Sequence, residues 1–117
     1  MTNENYLDKD LILSLLSKIE NTNLIDIDLN KYLKDIEIEL NKIFKIINKK
    51  QLIERFIQFN PNAYEVLKSE KDLKKALSLI LKSVIIYMKD YNDPLYIVAE
   101  ISIVVDFLLY NGINLDL

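Results

Sequence analysis

The 117-residue sequence contains no histidine and no cysteine, and it has only one glycine. Without histidine there is no Ser–His or Cys–His pair, no imidazole ligand for a metal, and no side chain whose unperturbed pKa lies near 7. A single glycine cannot form a glycine-rich phosphate loop. These absences predict a protein that is not an enzyme and that holds no cofactor or metal.

The missing cysteines also bear on the compartment. There is no disulfide framework, which favours the cytoplasm, where disulfides are rare. The opening MTNENYLDKD is polar and acidic, unlike the basic start and apolar run of a signal peptide, so we expect no secretory leader. No apolar run reaches the roughly 18 residues that span a bilayer. We therefore expect a cytoplasmic protein that does not associate with a membrane.

Turn-forming residues are scarce, since two prolines accompany the single glycine. An all-β fold needs more turn chemistry than this. Half of the residues are hydrophobic and 28% are charged, a balance typical of globular proteins, and the length suits one domain over residues 1–117. Apolar residues recur at helical spacing almost throughout. The composition therefore predicts a single all-α domain.

The most apolar stretch predicts a central helix from Pro94 to about Tyr110. Asp93 is the expected N-cap, Pro94 suits the first helical position, and Gly112 is expected in the left-handed cap. Its few plainly polar side chains are Glu100, Ser102 and Asp106. A helix that is apolar around nearly its whole circumference must be surrounded by other helices.

Amphipathic helices are predicted along the rest of the chain. The expected boundaries come from capping residues and from Pro61, because the residue before a proline is disfavoured in a helix. The first predicted helix covers about 7–20, and the second runs from Asp28 as N-cap to the interruption NKK at 48–50. A third covers 51–59, and a fourth begins at Pro61. A fifth runs from the capping-box-like pair Ser69 and Asp72 to about Lys89.

Two runs near the carboxyl end, DPLYIVAE (93–100) and IVVDFLLYNGINLD (103–116), resemble an ankyrin repeat. The matching residues are Pro94, Leu95, Ala99, Ile103, Val104, Leu108, Leu109, Gly112, and Asn114 or Asp116. Upstream, residues 43–62 can be aligned with the helix pair of an N-terminal cap, and residues 62–83 and 88–95 can be aligned with a preceding repeat. Asp93 and Tyr96 stand where the family has Thr and His, and the turn after Glu100 lacks its glycine, which would fuse the helix pair into one helix. The resemblance implies stacked helices that bind proteins.

The fold prediction is therefore five or six antiparallel helices, forming either a compact bundle or a short ankyrin-like stack. A second resemblance is carried by ENYLD (4–8) and by Glu100, Val105, Phe107, Tyr110 and Gly112. These residues resemble the small helical subunit of type III CRISPR complexes, and that resemblance implies contact with guide RNA.

Charge is distributed unevenly along the chain. Formal charges are −5 for residues 1–40, +7 for residues 41–89 and −5 for residues 90–117. The basic middle could bind nucleic acid or an acidic protein, or it could neutralise neighbouring acidic residues within the fold. The alternative function that follows is a nucleic-acid-associated small subunit using residues 42–89, although we expect the partner to be a protein.

The function that the sequence predicts is protein–protein recognition by a small module, such as an inhibitor, an immunity protein, a viral or phage antagonist, or an adaptor. The turn before the C-terminal helix is both aromatic and acidic, and rigid aromatics surrounded by polar groups are typical of binding hot spots. An acidic surface would suit a basic partner. The predicted partner-binding residues are Tyr87, Asp90, Tyr91, Asp93 and Tyr96.

Overall fold

The fold is all-α in the computed structural model, which describes residues 9–21, 27–86 and 94–115. These residues contain six helices and no strand. The helices are α1 (Lys9–Glu20), α2 (Leu29–Ile43), α3 (Lys49–Phe59), α4 (Pro61–Ser69), α5 (Leu73–Ile86) and α6 (Pro94–Tyr110). The predicted fold class is confirmed.

Helix α6 lies at the centre and contacts every other helix. Ile97, Val98, Ile101 and Ile103 are almost completely buried on it. The helix continues through Glu100 without a break, as the missing glycine predicts. In a repeat stack each unit contacts only its neighbours, so a helix shared by all the others makes this a compact bundle.

The other helices each bury one apolar face against this centre. Helix α2, for example, places Leu33, Ile36, Leu40 and Ile43 in the core and exposes its charged side. Among the residues that the structure describes, the buried apolar ones outside α6 are Ile12, Leu15, Leu16, Ile19, Tyr32, Leu33, Ile36, Leu40, Ile43, Phe44, Leu52, Ile53, Phe56, Leu67, Ala76, Leu77 and Ile80. In the described part of the chain, no helix is both long and apolar enough to cross a bilayer.

Several predicted boundaries are confirmed because short-range chemistry sets them. The Asp28 side chain accepts a hydrogen bond from the backbone N–H of Lys31 at 3.2 Å and caps α2. Helix α3 ends at Phe59, and Pro61 begins α4. Pro94 begins α6, while its predicted N-cap, Asp93, lies outside the described residues.

The boundary between α2 and α3 differs from the prediction. Helix α2 ends at Ile43, and Asn48 in the expected interruption is the N-cap of α3, because its side-chain oxygen accepts from the backbone N–H of Gln51 at 2.9 Å. Lys49 is thus the first residue of α3. Asn48, which was expected to interrupt a helix, instead begins one, because asparagine is disfavoured within helices but is favourable as an N-cap.

Two predicted caps are also displaced. Ser69 ends α4, with its hydroxyl donating to the carbonyl of Val66, and Asp72 alone caps α5 by accepting from the backbone N–H of Lys74 at 2.9 Å. After α6 the left-handed residue is Asn111, at φ 59°, and not Gly112. Asparagine tolerates this conformation better than most non-glycine residues do.

Candidate functional site

Of the predicted partner-binding residues, the structure describes Tyr96. Tyr87, Asp90, Tyr91 and Asp93 lie outside the described residues. Tyr96 is half-buried in the first turn of α6, and its ring packs on Phe56 of α3 with centroids 4.8 Å apart and planes tilted by 60°. This tilted geometry is favourable for aromatic pairs. The residue therefore belongs to a surface that α3 and α6 build together.

That surface is a groove between α3 and the start of α6. It consists of two clefts, of about 120 Å³ and about 520 Å³, that share Leu52, Arg55 and Leu95. We call it the α3–α6 groove. Its lining residues are Ile46, Ile47, Asn48, Gln51, Leu52, Arg55, Phe56, Phe59, Leu95, Tyr96 and Ala99.

Phe59 is the most exposed large hydrophobic residue among those described. Its relative exposure is 73%, although it lines the same cleft as the packed rings of Phe56 and Tyr96. At the other end of the groove Ile46 is 46% exposed. Apolar surface is thus exposed at both ends of the groove, and exposed apolar surface with a polar edge is typical of an interaction site.

Arg55 is the one charged residue lining the groove. Its guanidinium forms no ion pair with any carboxylate in the described residues. Arginine presents several donors in a fixed plane and is enriched at protein interfaces. The groove therefore offers a cation beside the apolar side chains of Leu52 and Leu95.

A buried ion pair lies elsewhere, where α3 begins and α6 ends. Lys49 Nζ lies 3.0 Å from Asp106 Oδ2, and both side chains are almost completely buried. The same carboxylate oxygen accepts a hydrogen bond from the backbone N–H of Asn114 at 2.9 Å. The ion pair thus joins α3, α6 and the segment after α6, and neither charged residue lines the groove.

Burial raises the pKa of Asp106 above the ordinary value for an aspartate. The hydrogen bond from Asn114 and the ammonium group of Lys49 act in the opposite direction, while the charge of Glu37 raises the pKa further. A buried carboxyl with a raised pKa is a feature of some active sites. Here its contacts are with Lys49 and a backbone N–H, an arrangement that holds helices in place.

A second polar cluster connects α2 to the end of α6 at the surface. The Tyr110 hydroxyl donates to Glu37 Oε2 at 2.7 Å and accepts from Lys34 Nζ at 3.1 Å. The hydrogen bond with Tyr110 raises the pKa of Lys34. Lys34 and Tyr110 are both exposed, so this cluster lies on the surface, where its hydrogen bonds connect α2 to α6, and it does not line an enclosed cavity.

The basic middle segment is partly neutralised within the fold. Besides Lys49 with Asp106, Lys42 pairs with Glu39 at 3.1 Å, and Lys68 pairs with Glu65 at 3.1 Å. The exposed lysines of this segment without a carboxylate partner among residues the structure describes are Lys45, Lys50, Lys71, Lys74, Lys75 and Lys82. Neutralisation inside the fold therefore accounts for part of the positive charge.

Sequence reasoning found Tyr96 but missed the rest of the groove. Leu52, Phe56 and Phe59 follow one another at i, i+4 and i+7, which places them along one face of α3. Helical spacing over 51–59 predicts an amphipathic helix, but it does not tell a packed face from one that a partner covers. The exposed Phe59 at its end is the signal that could have indicated a surface shared with a partner.

No family model, curated protein or solved structure matches the chain. The likeness to ankyrin repeats therefore stays an expectation from the sequence.

Proposed function

We propose that the protein acts by binding another protein, as an inhibitor, immunity protein, antagonist or adaptor does, and catalyses no reaction itself. The observation that carries the proposal is the α3–α6 groove, where Phe59 is 73% exposed beside the packed rings of Phe56 and Tyr96. Exposing a phenylalanine forfeits roughly 1.5–3 kcal/mol of burial free energy. A partner that covers it would recover this free energy on binding.

The predicted partner-binding residues Tyr87, Asp90, Tyr91, Asp93 and Tyr96, called here the acidic junction, adjoin this groove in the sequence. Tyr91 and Asp93 precede Pro94, and Tyr96 belongs to both the junction and the groove. Interfaces combine aromatic anchors with a charged rim. The acidic residues favour a basic partner, whose approach they would accelerate through long-range attraction.

Affinity capture from the native host, or from a competitor of that host, tests this proposal. The bait proteins are wild type, Phe59→Ala, the double variant Asp90→Lys with Tyr91→Ala, and Ile38→Ala as the matched control. Ile38 is a suitable control because it is 56% exposed on α2 and lines neither cleft. We expect wild type and Ile38→Ala to retain the same protein, and the other two to lose it.

Affinity for that protein should fall by more than about 2 kcal/mol in the double variant, the range of a binding hot spot. Its melting temperature should change little. A captured protein that binds all four baits equally would place the interface elsewhere, and a collapsed melting temperature would make the junction structural.

The alternative is a nucleic-acid-associated subunit, and the exposed lysines of α5 favour it. Lys74, Lys75 and Lys82 are exposed on that helix and have no carboxylate partner in the part of the chain that is described. Phosphate contacts through such residues would make binding strongly dependent on salt. The dependence of RNA and single-stranded DNA binding on salt therefore separates this alternative from protein binding.

A further inference from the structure

We propose that the α3–α6 groove takes an amphipathic helix of the partner, one that carries an aspartate or glutamate on its apolar face to pair with Arg55. This inference rests on the proposed function, because it names the segment of the partner that the groove binds. It goes further by specifying both the conformation and the charge of that segment.

The architecture decides the conformation. An extended peptide binds most readily by adding a strand to an open sheet edge, and residues 9–21, 27–86 and 94–115 contain no strand. The walls here are two packed helices, α3 and α6. A third helix can lie along the groove between them by the same packing of side-chain ridges that holds helices together elsewhere.

The length of the groove fits this occupant. Its lining extends along α3 from the cap Asn48 to Phe59. The 11 residues of α3 measure about 16 Å at 1.5 Å per residue. That is three turns of helix, enough for anchors at i, i+3 or i+4, and i+7.

The charge of the occupant follows from Arg55. Every other residue lining the groove is uncharged, and Leu52 and Leu95 flank the arginine in both clefts. Covering an arginine without a partner leaves a desolvated charge, which is costly. A carboxylate on the incoming helix would form a charge-assisted pair with the guanidinium, while a lysine at that position would be repelled.

The test uses a phage-displayed library of random 14-residue peptides selected against the wild-type protein, with prior depletion on Phe59→Ala. We expect the recovered sequences to share apolar residues at helical spacing, with aspartate or glutamate on the same face. A recovered peptide and its Glu→Gln or Asp→Asn counterpart are then labelled with fluorescein. Their Kd values are measured by fluorescence anisotropy against wild type, Arg55→Gln, Phe59→Ala and Ile38→Ala.

The expected result is a coupled loss at Arg55. Arg55→Gln should weaken the acidic peptide about tenfold, as for a charge-assisted hydrogen bond, and should leave the neutral peptide nearly unchanged. Phe59→Ala should weaken both peptides, Ile38→Ala neither, and circular dichroism should show helix forming in the bound peptide. Arg55 is exposed, so its substitution should preserve the fold, which a thermal melt checks.

Three results would overturn the inference. The first is that the recovered peptides are not enriched in aspartate or glutamate. The second is that Arg55→Gln weakens the acidic and neutral peptides equally, and the third is that the bound peptide forms no helix. Each leaves the proposed function standing if affinity capture still depends on Asp90 and Tyr91. If affinity capture does not depend on Asp90 and Tyr91 while peptide binding is intact, the interface includes the α3–α6 groove and does not include the acidic junction.

Discussion

Replacing Lys49 with methionine tests the buried ion pair most directly. Methionine approximates the length of the lysine stem but leaves Asp106 with only the Asn114 N–H among the contacts described above. Removing one partner of a buried ion pair costs about 3–5 kcal/mol. A domain of this size has a free energy of unfolding of roughly 6–18 kcal/mol, so Lys49→Met should remain folded and measurable.

The second variant adds Asp106→Leu to Lys49→Met and removes both charges. The double variant also loses the hydrogen bond from the Asn114 N–H to Asp106, at a cost of about 1–3 kcal/mol. The double variant should therefore be more stable than Lys49→Met alone. Simple addition of the stability losses of the two single variants would predict the opposite order. Addition fails here because each single variant leaves one charge buried and unpaired, whereas the double variant removes both charges.

The loss in Lys49→Met should also depend on pH. The pKa of Asp106 is already raised in the folded protein, so its ionised form opposes folding, and that opposition is absent at low pH and grows as pH rises through the raised pKa. Removing the ammonium group of Lys49 raises the pKa of Asp106 further. Each additional pKa unit lowers the free energy of unfolding by about 1.36 kcal/mol once Asp106 is ionised. The difference between wild type and Lys49→Met should therefore be larger at pH 8 than at pH 4.

Urea unfolding followed by far-ultraviolet circular dichroism, at both pH values, measures these differences. A loss below about 1 kcal/mol that is the same at pH 4 and pH 8 would refute the reasoning. It would mean that water solvates the carboxylate and that the ion pair contributes no more than a surface pair does.

Three further predictions concern the core, the end of α6 and the basic segment. Ile101→Ala should cost about 2–5 kcal/mol in urea unfolding because Ile101 is fully buried, and the same change at half-buried Leu108 should cost less. A loss at Ile101 below about 0.5 kcal/mol, the range of surface substitutions, would contradict the central position of α6. Asn111→Val should lower stability by about 1–2 kcal/mol because a β-branched residue is strained at φ 59°, and Asn111→Gly should not; a thermal melt compares them. Filter binding should detect no retention of RNA or single-stranded DNA near physiological salt. Micromolar retention that falls by about 0.7–0.9 log unit per log unit of salt for each phosphate contact, and that weakens in Lys71→Ala with Lys75→Ala, would support the nucleic-acid alternative.

The sequence predicted those features that depend on neighbouring residues. The limits of α6, the cap at Asp28 and the break at Pro61 each follow from side chains within a few positions, and all three are confirmed. The errors at Ser69 and Gly112 are also local. In each case the residue type suited the role, but a residue within three positions, Asp72 or Asn111, takes it.

Features that depend on distant residues could not be predicted in the same way. Lys49 stands in the polar run NKK and has the composition of a surface residue, yet it is buried because Asp106 reaches it from another helix. Leu108 belongs to a helix that is apolar nearly all round, a pattern that predicts burial, but it lies toward the end of the helix, where it is half-buried. Likewise, Arg55 and Leu95 line one groove only because α3 packs on α6.

The central position of α6 has a consequence for synthesis on the ribosome. Helices α1 to α5 precede it in the chain, so they emerge before the helix that they all contact. Isolated helices of this length are only marginally stable in water. At 5–20 residues per second, translation from α1 to the end of α6 takes roughly 5–20 s, during which the apolar faces of the earlier helices lack their common partner. The shared core is therefore completed only when α6 emerges, which leaves general chaperones several seconds in which to bind the nascent chain.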